Sequence, residues 1–188
     1  MGKLFDDAIK FAVDAHAGMC RKGTDIPYIV HPMEVSSIVS SMTSKDEVLA
    51  AAVLHDTVED TFVTLEMIRE RFGERVCGLV AGESENKRED ISKSESWKIR
   101  KQETINELCR TDDIEQKMIT LGDKLSNMRS IYADYRKIGD ALFERFNQKE
   151  KSEHAWYYRS ICDALECLSD TLAYKELDRL INAVFSDS

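Results

Sequence analysis

The chain has 188 residues, the size of one ordinary domain, and its 43% hydrophobic and 32% charged residues supply a core and exclude the low-hydrophobicity signature of disorder. Eight Gly and two Pro leave too few turn formers for an all-β sandwich or barrel, while Ala, Leu, Glu, Lys and Arg recur throughout and favour helices. A formal charge of -9 opposes binding to nucleic acid or to an anionic membrane, so an anionic ligand has to be met by a local basic patch.

In chain order, Phe5, Ala8, Ile9, Ala12 and Val13 recur at helical spacing over 4–17, and Gly18 is placed to stop that helix. Residues 19–30, with Arg21, Lys22, Gly23 and Pro27, follow neither period and form a loop. Pro32 suits the first turn of a second helix, where its missing N–H costs nothing; Val35, Ile38, Val39 and Met42 make the stripe and His31 sits at the entry. Ser44 and Glu47 have capping-box spacing ahead of a helix through Ala50, Val53 and Leu54 that carries His55 and Asp56 at its far end. Helices over 64–72, ended by Gly73, and 74–81, ended by Gly82, come next, and the polar residues 82–95 form a surface loop.

Trp97, Thr104, Ile105 and Leu108 mark another helix, with Trp97 a core residue. Asp112 and Glu115 offer a cap for a longer one, in which Ile114, Met118, Leu121, Leu125 and Met128 form a buried stripe and Asp123 and Asn127 share a face. After a connection near Gly139, helices over 150–168 and 171–185 complete the chain. His16, among Ala and Val, reads as a packed, hydrogen-bonded histidine. Lys87, Arg88, Lys93, Lys98, Arg100 and Lys101 concentrate positive charge that either folds over phosphates or forms a solvated face. The five Cys contain no CxxC pair and are odd in number, so they read as reduced, mostly buried thiols of a cytoplasmic protein. Neither a signal-peptide run nor a stretch of the ~20 apolar residues that a membrane span needs is visible.

Imidazole and carboxylate are the usual ligands of a hydrolytic divalent metal, and His31, His55, Asp56 and Asp123 could form a two-His, two-Asp set with positions left for water and a phosphoryl oxygen. Taken alone, His55 and Asp56 read as an ordinary helix end, Glu59 and Asp60 as a solvated face, and Arg21 and Lys22 as an exposed loop.

Together, however, the ordered segments AHAGMCRKGTDIPYIVHP (15–32), AAVLHDTVEDT (51–61) and LGDKLSNMRS (121–130) resemble the HD-domain hydrolases of the RelA/SpoT type, and within them the stand-alone small alarmone hydrolases, the Mesh1-like group. The resemblance implies an all-α fold, an HD-domain helical bundle in a single domain over 1–188, with a motif-bearing core over 4–130 and C-terminal helices over 140–185. It also implies a hydrolase, dependent on Mn²⁺ or another divalent metal, that removes the 3′-pyrophosphate from guanosine tetra- or pentaphosphate. Carried over position by position, His31, His55, Asp56 and Asp123 match the family's metal ligands, and Glu59 and Asp60 match the acidic pair that activates or orients water. Arg21, Lys22, Lys124, Asn127 and Arg129 match positions around the nucleotide. The chain departs from the family at Thr57, often Val, and at Ser126, often His, and on this reading neither touches a ligand. The synthetase and regulatory domains of the long RelA/SpoT enzymes are not expected. Two alternatives stay open: an HD-type phosphohydrolase of another nucleotide, such as an NADPH phosphatase or a nucleotidase, and a non-catalytic nucleotide-binding module.

Overall fold

The structure, a computed structural model, describes residues 3–84 and 95–186. Ten α-helices run in the order α1 (Lys3–Ala15), α2 (Val30–Ser40), α3 (Asp46–Leu54), α4 (Thr57–Asp60), α5 (Leu65–Phe72), α6 (Glu74–Glu83), α7 (Trp97–Arg110), α8 (Ile114–Ile138), α9 (Lys151–Ala164) and α10 (Leu172–Phe185) among the described residues. The only pairing of extended backbone among them is an isolated bridge between Cys20 and Pro27. The fold is therefore all-α, as composition and periodicity predict, and no described helix is long and apolar enough to cross a membrane.

The helices group into two compact units, Met1–Ser84 with Asp113–Ser126, and Glu85–Asp112 with Asn127–Ser188. In the first, α3 packs against α1, α2 and α6. Val48 and the run from Ala50 to Leu54 are all buried, and three consecutive alanines let neighbouring helices close in around this element. From α1 it receives Ala8, Ala12 and Ala15, spaced three and four apart. Gly18 (φ 77°) and Gly73 (φ 88°) take left-handed backbone where α1 and α5 end, and the Thr64 hydroxyl caps α5 by accepting from Met67 N–H at 3.3 Å.

Three helix ends differ from expectation. The Ser44–Glu47 capping box does not form: α3 starts after Lys45 with no side-chain cap, and Asp46 and Glu47 instead put negative charge in its first turn. Gly82 does not stop α6, which continues to Glu83. A Cβ at Gly82 would lie 2.4 Å from Gln116 Oε1, so the glycine makes room for a side chain of α8. Asp113, not Asp112, caps α8, accepting from Glu115 N–H at 3.1 Å and Gln116 N–H at 3.4 Å. Along α8 the buried stripe is Ile119, Leu121, Leu125 and Met128, while Ile114 is exposed.

In the second unit, Trp97 is buried with its ring 5.5 Å from His154 and 6.1 Å from Tyr157. Lys98 lies 3.5 Å over the Trp156 ring and pairs with Glu153, and Lys101 lies 4.9 Å over Tyr157. These two lysines of the predicted basic patch thus dress the aromatic side of α9, and Lys87, Arg88 and Lys93 lie outside the described residues. Gly139 (φ 57°) breaks α8 into a 3₁₀ segment, and Thr171 caps α10 through Tyr174 N–H at 3.2 Å. All five cysteines are unpaired, but Cys20, Cys109 and Cys167 are exposed, so the thiols are not mostly buried.

Candidate metal centre

The first unit brings His31, His55, Asp56 and Asp123 together from three places in the chain. His31 occupies the first turn of α2, entered by a turn in which His31 N–H bonds Tyr28 O at 3.0 Å. His55 and Asp56 form the junction between α3 and α4. Asp123 comes from α8, which approaches α2 so closely that a Cβ on the preceding Gly122 would sit 2.9 Å from Val39 Cγ2 and 3.2 Å from Val35 O. His31 Nε2 lies 3.2 Å from Asp123 Oδ1 and 3.4 Å from Asp56 Oδ2; His55 Nε2 lies 3.2 Å from Asp56 Oδ1 and 3.8 Å from Asp123 Oδ1.

His55 places its Nδ1 2.9 Å from Ala52 O, which needs a proton on Nδ1 and leaves the Nε2 lone pair buried with no hydrogen bond. Two imidazole lone pairs and two carboxylates converging in a buried place form a set of acceptors, and a divalent cation fits it. His31, His55 and Asp123 present ligand atoms within 4.8 Å of one another, a group that could hold a metal ion. The carboxylates favour positive charge at this place. Burial opposes charging of His55, yet Asp56 and Asp123 outweigh it and raise its pKa to about 9. Burial also pushes the Asp56 and Asp123 carboxyls up, but His55 beside Asp56 and Lys124 beside Asp123 hold both well below the usual carboxylate range.

Around this set stand groups that the sequence reading passed over. Ser126 does touch a predicted ligand: its Oγ lies 2.8 Å from His31 Nδ1 and donates to Glu34 Oε2 at 2.7 Å. Tyr28 donates to Asp56 Oδ2 at 2.7 Å and to Asp60 Oδ2 at 2.9 Å, and burial together with those two carboxylates keeps the phenol protonated. Asp60 is thereby linked to Asp56. Glu59 is partly buried on the same short helix. Glu83, read as loop, is instead the last residue of α6 and accepts from Thr120 Oγ at 2.6 Å; burial pushes its carboxyl up, against the pull of Lys124. The apolar spacing Val76, Leu79, Val80, carried one turn further, reaches Glu83 and is the signal that could have found it.

Arg21 lies with its guanidinium 5.7 Å from the Tyr28 ring, and its loop is pinned by Arg21 N–H to Ile26 O at 2.8 Å and Tyr28 N–H to Met19 O at 2.9 Å. Lys22, on that loop, is exposed. Lys124 donates to Asp123 Oδ2. Asn127 follows Asp123 by one turn of α8, and Arg129 is paired with Glu176 of α10 at 2.7 and 2.9 Å. His16 is buried and stacked on Tyr28 with ring centroids 4.8 Å apart, but neither ring nitrogen makes a hydrogen bond, so it is packed without being hydrogen-bonded.

Known proteins resemble this chain in sequence and in fold. The chain is 35% identical over 129 residues, 66% of its length, to the guanosine-3′,5′-bis(diphosphate) 3′-pyrophosphohydrolase of Aquifex aeolicus (strain VF5), and it spans only 17% of that relative. Among solved structures it resembles a metazoan ortholog of SpoT that hydrolyzes ppGpp and plays a role in starvation responses, with a TM-score of 0.77, 26% identity, and coverage of 96% of this chain and 95% of that one. A protein of Listeria monocytogenes EGD-e matches with a TM-score of 0.73, 32% identity, and coverage of 86% and 97%. Residues 8–149 match the HD domain family, and this span contains all three motif segments and the buried His–His–Asp group: the chain belongs to the HD domain family.

Proposed function

We propose that the protein is a Mn²⁺-dependent hydrolase that removes the 3′-pyrophosphate from guanosine tetra- or pentaphosphate. The observation that carries this reading is the convergence of His31, His55, Asp56 and Asp123 on one buried place with an unbonded His55 Nε2, in a chain similar to a ppGpp-hydrolysing ortholog of SpoT over nearly all of both lengths. His31, His55, Asp56 and Asp123 would hold the cation. When bound, it would supply positive charge that lowers the proton affinity of water and steadies a phosphoryl oxygen.

The remaining work falls to the chain's own side chains. Water attacks the phosphorus attached to the ribose 3′ oxygen, the P–O3′ bond breaks, the 3′ oxygen departs as a hydroxyl with the proton returned to it, and the diphosphoryl group, now carrying the water oxygen, is released as pyrophosphate. Glu59 and Asp60 take the proton that water gives up, with Asp60 oriented by the Tyr28 hydroxyl. Arg21 offers the guanine a planar cation already braced on Tyr28. Lys22 and Lys124 bring positive charge to the phosphates in a chain that is otherwise strongly anionic. Asn127 and Arg129, at positions that match those around the nucleotide in the resembling family, would contact it.

The test is product analysis on protein stripped with a chelator and then resupplied with Mn²⁺, using guanosine tetraphosphate, NADPH and ordinary nucleotides. Pyrophosphate and a nucleoside 5′-diphosphate should appear from the tetraphosphate only after Mn²⁺ is restored. Phosphate release confined to NADPH or to ordinary nucleotides would move the activity to another phosphohydrolase. Binding of guanosine tetraphosphate without any product would make the protein a nucleotide-binding module.

A further inference from the structure

The contact between Ser126 and His31 joins a residue of α8 to one of α2 across 95 positions of sequence, and both side chains are almost fully buried. A serine hydroxyl has one proton to give. Here it goes to the Glu34 carboxylate at 2.7 Å, a charge-assisted bond that a neutral imidazole nitrogen cannot compete with as acceptor. The oxygen then turns its lone pairs to His31 Nδ1, 2.8 Å away, so Nδ1 has to be the nitrogen that carries the proton. With Nδ1 protonated, the lone pair of the neutral ring is on Nε2, the atom that lies 3.2 Å from Asp123 Oδ1 and 3.4 Å from Asp56 Oδ2.

The placement follows from helix geometry. Glu34 lies three residues after His31 on α2, and Ser126 lies three residues after Asp123 on α8, so each helix presents one member of the ligand set and, one turn on, one member of the support behind it. Gly122 lets the two helices come close enough for that support to be direct.

We propose that Ser126, polarised by Glu34, is a positioning residue that holds His31 in the Nδ1–H tautomer and aims Nε2 at a divalent cation. The proposal rests on the cation-binding reading of His31, His55, Asp56 and Asp123. Partners behind a ligating imidazole are worth about 10–100-fold in metal affinity.

The experiment is calorimetric titration of chelator-stripped protein with Mn²⁺ alone, on wild type, Ser126→Ala, Ser126→Thr, Glu34→Leu and His31→Ala, with thermal unfolding of each stripped protein alongside. Ser126→Ala should weaken Mn²⁺ binding by about 10–100-fold. Ser126→Thr, which keeps the hydroxyl, should restore it to near the wild-type value. Glu34→Leu should also weaken binding, because the freed serine proton can then point at His31 Nδ1 and favour the wrong tautomer, and the Glu34→Leu/Ser126→Ala double variant should lose no more than Ser126→Ala does. Should Ser126→Ala fold poorly, Glu34→Leu, at a partly buried site, carries the same test. Wild-type Mn²⁺ affinity in both Ser126→Ala and Glu34→Leu, with binding lost in His31→Ala, would overturn the positioning role and leave the cation site standing. Wild-type affinity in His31→Ala would overturn the cation site, and the positioning role with it.

Discussion

One phenolic proton at Tyr28 serves two carboxylates, Asp56 at 2.7 Å and Asp60 at 2.9 Å, and so ties a candidate metal ligand to a candidate proton acceptor. Hydrogen bonds to charged groups contribute about 1.5–3 kcal/mol. Tyr28→Phe should therefore lower kcat/KM for guanosine tetraphosphate by about tenfold or more, with Mn²⁺ retained by the four ligands. Unchanged kinetics would mean that the bridge orients nothing that reacts. Glu59→Gln and Asp60→Asn separate the two acids: the one that accepts the proton should lose ~10²-fold or more in kcat, the usual scale of general-base catalysis, and the other much less. Equal, wild-type rates in both would place water activation elsewhere. His31, His55, Asp56 and Asp123 stood out only through the three ordered motif segments, since taken alone His55 and Asp56 read as an ordinary helix end, and the structure brings the four side chains together. Tyr28, Glu34 and Ser126 were not legible, since hydroxyls and carboxylates occur all along the chain and these acquire a role only from partners 28 to 95 positions away.

At the scale of elements, the ends of α5 at Thr64 and Gly73 and of α10 at Thr171 and Phe185 were legible, whereas those set by contacts between helices were not. Val35, Ile38 and Val39 of the expected α2 stripe are buried, as are Ala8 and Ala12 of α1, although Val13 is exposed. Gly82 misled because its smallness serves packing against Gln116, a contact that no local pattern encodes. The start of α8 was off by one residue because Asp112 and Asp113 are chemically identical and the choice between them is tertiary. Asp113 is paired with Arg75, while Glu115 bonds both Lys45 and Arg75, so the α8 start is tied to α3 and α6. Arg75 holds the Asp113 carboxyl below its usual range, and Lys45, then Arg75, do the same for Glu115. Depressed carboxyl pKa values give stability that is complete above the unfolded-state values, about 4, and is lost as pH falls through the folded ones. Asp113→Asn, which keeps the cap but not the charge, should cost at most about 1 kcal/mol at pH 7, and the difference from wild type should vanish in acid. Asp113→Ala should cost about 1 kcal/mol more through the lost cap, and that part should survive at low pH where the fold does. Thermal unfolding at the two pH values checks both. Gly122→Leu should be worse than either, because its side chain would enter the contact between α8 and α2; overpacking costs about 1–3 kcal/mol, and Mn²⁺ affinity should fall with it as Asp123 is pushed out of place.

For the molecule as a whole, helix class was legible from composition, whereas the division into two units carries no mark in the sequence: α8 serves both and runs as one helix from Ile114 to Ile138. The site belongs to the first unit and gathers residues from α2, from the α3–α4 junction and from α8, elements widely separated along the chain. That gathering sets the Asp56 and Asp123 carboxylates against His31 Nε2 in a buried place, with Lys124 donating to Asp123. A bound cation would link α2, the α3–α4 junction and α8 through His31, His55, Asp56 and Asp123. A ligand that binds only the folded state adds about 2.7 kcal/mol when present at 100 times its Kd, and for a chain of this size each kcal/mol raises Tm by about 2–4 °C. Chelator-stripped protein resupplied with Mn²⁺ at that excess should thus unfold roughly 5–10 °C higher than without it. Asp123→Ala removes one of the two carboxylates, so it should show no Mn²⁺-dependent rise and retain no metal on purification. A Tm that climbs with Mn²⁺ as much in Asp123→Ala as in wild type would locate the cation away from His31, His55, Asp56 and Asp123, and the proposed catalytic arrangement would go with it.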